Sequence, residues 1–166
     1  MSILSKTLDN VVRLLFYTGV IAGAVMAALI LVSALSRYLL GSPISFSDEL
    51  ASMLFVFLAF STFPYVLGKS EHIRLSIITE KLSESAQKAA HIFASIVFLA
   101  FATVFIIESY SFMNFSKMIN SHSEVSGILL WPWMALMPIS LGLCFILELR
   151  SIFRTLFNKN GTEHSL

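Results

Sequence analysis

The sequence predicts an all-α integral membrane protein. It has four transmembrane helices, both chain ends on the cytoplasmic side, and amphipathic interfacial helices near the N-terminus and between spans two and three. Three observations carry this. The 166 residues are 57% hydrophobic and only 13% charged, where an ordinary soluble domain has about 25% charged residues. Four runs contain no Asp, Glu, Lys or Arg: residues 14–36, 50–68, 89–107 and 125–147. At about 1.5 Å per residue, each crosses or nearly crosses a hydrocarbon core about 30 Å thick. Finally, nine of the eleven Lys and Arg fall in the N-terminal segment, the second loop and the tail. Basic residues gather in short cytoplasmic loops, so these segments lie inside.

Segment 3–12 places Ile3, Leu4, Leu8, Val11 and Val12 at helical spacing, which suits a helix at the inner surface running into the first span. The first run, 14–36, is longer than a signal-peptide core and ends in Arg37-Tyr38, so it reads as a retained span. Within it, Gly19, Gly23 and Ala27 recur every four residues. Small residues at that spacing let helices approach closely in lipid. Asp48 and Glu49 open the second span. Acids there favour the helix N-terminus, and Ser45 or Ser47 supplies an N-cap. Arg37 lies close enough in sequence to pair with Glu49 across the hairpin.

Segment 73–88 sets Ile78, Leu82 and Ala86 on one face against Glu80, Lys81, Glu84 and Lys88. This is the pattern of an interfacial helix leading into the third span. In the fourth run, Pro132 fits a first helical turn, and Trp131 and Trp133 fit interface anchors. Pro64 and Pro138 lie within spans and free the carbonyls of Phe60 and Met134.

Several function classes lack their equipment. Net charge is +1, without a basic surface for nucleic acid. Cys144 is the single cysteine, so no internal disulfide or CxxC chemistry arises. The four histidines offer neither a facing pair for haem nor a zinc set, and His91 reads as a packed or interfacial histidine. With the spans bounded as above, no ionisable group sits mid-span, where one is usually kept for function. No cofactor and no enzymatic activity are expected. This favours an accessory subunit, with a self-contained small oligomeric channel or exporter as the alternative.

The stretch from Arg37 to Ile78 resembles the small membrane subunit, DctQ-like, of tripartite ATP-independent periplasmic (TRAP) transporters. Its motifs read Arg37-Tyr38, then Ser45-Phe46-Ser47-Asp48-Glu49-Leu50-Ala51, then Gly68-Lys69-Ser70-Glu71-His72-Ile73. Phe46 departs from the tryptophan usual in the family. The closing segment, with Trp131-Pro132-Trp133 and the later Pro138 and Gly142, is also similar. The resemblance implies a non-catalytic subunit in a bacterial inner membrane. It would brace a large multi-span subunit that moves sodium and a carboxylate solute, such as a sialic acid or a C4-dicarboxylate. It would also help dock a periplasmic binding protein. Gly19, Gly23, Ala27, Arg37, Asp48, Glu49, Gly68 and His72 are then the candidate assembly contacts.

Overall fold

The computed structural model describes residues 3–42, 44–77 and 84–157. The helices are α1 (Ile3–Leu40), α2 (Ser47–Ile77), α3 (Glu84–Met118), the single turn α4 (Trp131–Met134) and α5 (Leu136–Phe157). Among the described residues, four stretches are long and apolar enough to cross a membrane: Lys6–Leu40, Ser47–Lys69, Ala89–Met118 and Trp131–Phe153. The expected four-helix layout therefore holds.

The packing is that of a protein dissolved in lipid. The seams between helices are lined with hydroxyls: Ser33, Ser61, Ser95, Ser109, Ser116 and Ser140 are all buried. Large apolar side chains such as Leu14, Ile21, Leu31, Phe93, Phe101 and Val104 face outward. In water this arrangement would forgo most of the hydrophobic driving force. In hydrocarbon, small and hydroxylic residues are what lets helices approach and bond across a seam.

Helix α1 packs chiefly on α2, α2 on α5, and α5 on α3. The central pair is thus α2 and α5, with α1 and α3 on the flanks. At one end Arg150 of α5 donates to Asp9 of α1 at 3.1 Å. The beginning of α1 and the later part of α5 therefore share one side of the bundle, as four crossings require.

Several boundaries differ from the sequence expectation. Segment 3–12 is not separate; it is the unbroken start of α1. Helix α2 continues past Gly68 to Ile77, because nothing from 69 to 77 breaks a helix. Segment 73–88 is accordingly split between the end of α2 and the start of α3, and residues 78–83 lie outside the described ones. Helix α3 runs eleven residues beyond 107. It ends where Asn120 turns left-handed (φ 52°), with Ser121 N–H donating to Ser116 carbonyl and Asn120 N–H to Lys117 carbonyl. This is a Schellman closure with asparagine in the glycine role. That extension brings Glu108 into the third span, so the expectation that no span carries an internal charge is corrected. The fourth span begins at Trp131, not 125, because Gly127 adopts φ 64° within a loop.

The prolines behave as their chemistry requires. Pro64 is fully buried. The Phe60 carbonyl it frees accepts a bond from the Ser140 hydroxyl at 2.5 Å, across the α2–α5 seam. Pro138 cannot donate to Met134, and the helix breaks at Ala135 between α4 and α5.

Candidate functional site

The end of the bundle opposite the Asp9–Arg150 pair gathers most of the predicted polar residues. The chain turns out of α1 through Gly41 (φ 67°), and Ser36 donates to the Ser42 carbonyl at 2.8 Å. Ser47 then begins α2, with its N–H on the Ile44 carbonyl. Its hydroxyl does not cap the helix. It donates to the Ile44 carbonyl and meets the Ser33 hydroxyl, each at 2.8 Å. That contact pins the start of α2 to α1.

Asp48 and Glu49 are neighbours, so their side chains leave the helix about 100° apart. They serve different faces. Asp48 is exposed and shares with Arg37 and Tyr38 a small groove of about 210 Å³. Glu49 points to the loop between α3 and α4. Its Oε1 accepts the Val125 N–H at 2.9 Å. Its Oε2 accepts the Ser126 N–H and the Ser126 hydroxyl, each at 2.9 Å, and also the Ser123 hydroxyl. The carboxylate is a clasp closed on four donors, two of them backbone. Arg37 is exposed and makes no ion pair among the described residues. The expected Arg37–Glu49 pair is therefore corrected: the glutamate is already satisfied by the loop on the other side of α2.

The loop is shaped to receive Glu49. Ser123 N–H donates to the Ile128 carbonyl at 2.9 Å, and Gly127 N–H returns to the Ser123 carbonyl at 3.2 Å. His122 and Leu129 form an antiparallel bridge. The left-handed Gly127 closes this short loop, and the fold-back presents the N–H groups of Val125 and Ser126 on one side. Charge-assisted bonds to backbone N–H are the strong kind. The loop is thus fastened to α2 and not left free.

Aromatic residues brace the same end. Lys117, in the last turn of α3, lies over the Trp131 ring at 5.4 Å. Trp133 meets Phe57 edge-on at 6.3 Å. Between the clasp and these rings is a groove of about 570 Å³, walled by Glu49, Met53, Val56, His122, Trp133 and Met137 among others. Its floor is apolar and its rim polar. Among the described residues no three of His, Cys, Asp and Glu come together as metal ligands.

Two of the three small residues on this face of α1 lie against α2. A Cβ on Gly19 would lie 2.9 Å from Ser61 Cβ and 3.0 Å from Thr62 Cγ2; one on Gly23 would meet the Leu58 methyls at 3.1 and 3.2 Å. Both glycines admit α2. Ala27 is exposed and takes no part in that seam. Gly68 sits beside Leu147. His72 belongs to α2, but its side chain lies outside the described residues. His91 packs toward α5, with Nε2 3.4 Å from the Ser151 hydroxyl.

Sequence reasoning missed two pairings. Ser95 bonds to Glu148 at 2.5 Å across the α3–α5 seam, for which no local pattern exists. The Glu49 clasp did have a signal: Ser-His-Ser-Glu-Val-Ser-Gly offers clustered hydroxyls and a glycine turn opposite an acid.

The chain is similar to known proteins. The family model for "Tripartite ATP-independent periplasmic transporters, DctQ component" matches residues 26–158. A protein of Haemophilus influenzae named "Putative TRAP transporter small permease protein" is 26% identical over 105 residues, which is 63% of this chain and 64% of that relative. The chain thus matches a little under two thirds of that relative's length. With the family model spanning most of the chain and four apolar helices in place, the chain belongs to the DctQ component family of TRAP transporters.

Proposed function

We propose that this chain is the non-catalytic small membrane subunit of a sodium-driven TRAP transporter for a carboxylate-type solute. It lies in a bacterial inner membrane with both termini in the cytoplasm. It braces the large membrane subunit, and its Glu49 end faces the periplasm and the solute-binding protein. Family membership supports the subunit role. The concentration of Lys and Arg in the segments at the Arg150 end supports the orientation.

The observation that carries the docking role is the Glu49 clasp. Four donors fix the loop onto α2. The exposed side chains of Asp48, His122 and Glu124 are then offered from a firm base. A surface fixed before contact loses less freedom on binding. Acidic groups at its rim steer a partner in a salt-dependent way.

Asp48→Asn and Glu49→Gln variants, reconstituted with the large subunit and the binding protein, test this. Glu49→Gln lowers solute uptake several-fold by loosening the loop. Asp48→Asn weakens the salt dependence of uptake. Full uptake with unchanged salt dependence in both variants rejects the docking role.

A further inference from the structure

Glu108 is the charge that the fold places deepest in the bilayer. Two contacts fix its depth. Phe105 and Phe60 have ring centroids 6.4 Å apart, and Ser140 bonds to the carbonyl of that same Phe60. Residue 60 lies near the middle of the uncharged run 50–68. Phe60, Phe105 and Ser140 therefore mark the middle of the bundle. Glu108 follows Phe105 by three residues, about 4.5 Å of helix rise, whereas the hydrocarbon extends about 15 Å on each side of its centre. The other charges of α2, α3 and α5 lie farther from that middle. Glu148, buried and bonded to Ser95, is eight residues from Ser140, Lys69 nine from Phe60 and Lys117 twelve from Phe105, about 12, 13.5 and 18 Å respectively.

Glu108 also faces away from its own bundle. It is exposed, while Ala102, Ser109 and Ser116 carry the buried face of α3. It makes no hydrogen bond or ion pair among the described residues. Thr103 spends its hydroxyl on the Leu99 carbonyl at 2.8 Å. The next cation along the helix, Lys117, is nine residues on and lies over Trp131. A glutamate side chain is too short to reach the interface from this depth. Ionisable groups in a span face protein or water, not lipid, and pair with a complementary group.

From this we infer that the outward face of α3 around Glu108, with Val104 and Ser111 beside it, is a docking surface for a membrane-spanning partner chain. That partner brings a lysine or arginine to the Glu108 carboxylate within the bilayer. The inference rests on the proposed subunit role, in which the partner is the large membrane subunit. It adds which helix faces that partner and what chemistry the partner must present.

The test co-expresses tagged chain with the large subunit and measures the complex recovered after size exclusion in mild detergent. Unaltered chain, Glu108→Gln, Glu108→Lys and the distant control Lys6→Gln, at the exposed start of α1, are compared. Each is also melted alone in the same detergent, and the isosteric Glu108→Gln serves if Glu108→Lys alone does not fold. Glu108→Gln lowers recovery at least ten-fold, Glu108→Lys abolishes it, and reversing the partner's cation to an acid restores the Glu108→Lys complex. Lys6→Gln recovers normally. Undiminished recovery with folded Glu108→Lys or with Glu108→Gln overturns the docking face and leaves the subunit role standing. No large subunit recovered with the unaltered chain overturns both.

Discussion

Replacing Gly19 by alanine tests the α1–α2 seam with a single methyl group. The new Cβ would lie 2.9 Å from Ser61 Cβ and 3.0 Å from Thr62 Cγ2. Ser61 Cβ is bonded directly to the α2 backbone and cannot rotate away, so the two helices must separate or bend. Gly142 is the matched reference, since nothing lies within 4 Å of a Cβ there. Alanine gains about 1 kcal/mol of helix propensity over glycine at either position, and this cancels in the comparison. What remains is overpacking, which costs about 1–3 kcal/mol. For a chain of this size that separates the melting temperatures of Gly142→Ala and Gly19→Ala by roughly 3–10 °C. The assay is thermal unfolding of the two purified variants in one detergent, followed by circular dichroism. Gly23→Ala falls between them, because the Leu58 methyls it meets at 3.1 and 3.2 Å lie at the end of a flexible side chain. Equal melting of Gly19→Ala and Gly142→Ala, or a reversed order, would refute the close approach of α1 to α2.

Two further outcomes follow from the bonds that cross seams. Ser140→Ala removes the donor to the Phe60 carbonyl freed by Pro64; it lowers stability by about 0.6–2 kcal/mol, the range for interhelical bonds in lipid, read by the same melting assay, and wild-type melting would mean the carbonyl is satisfied elsewhere. Arg37→Gln and Glu49→Gln have additive effects on melting, since the two side chains serve different faces of α2; a double-mutant cycle with strong coupling would restore the hairpin ion pair.

The four crossings were legible because they are composition-level facts: long apolar runs must sit in lipid whatever their packing. Their ends were not. Counting uncharged residues stopped the third span at 107, one residue before Glu108. The helix itself ends only where Asn120 turns left-handed, since a charge does not terminate a helix but a left-handed residue does. The fourth run began early for the converse reason. Residues 125–130 are uncharged, yet Gly127 holds them in a loop. At the site, sequence proximity suggested Arg37 for Glu49. The carboxylate instead takes donors more than seventy residues away, a contact set by which face of α2 it leaves. Of the small-residue pattern of α1, Gly19 and Gly23 face α2, and Ala27 is exposed. Pro64 and Pro138 each free a carbonyl that the sequence names, but only the fold shows that Ser140 answers the one in α2.

The most direct test of the accessory role is native mass spectrometry of this 18.5 kDa chain, extracted from its own membrane in mild detergent. The account predicts a stoichiometric complex with a larger multi-span polypeptide. A chain that emerges alone, or only as an oligomer of itself, would contradict it.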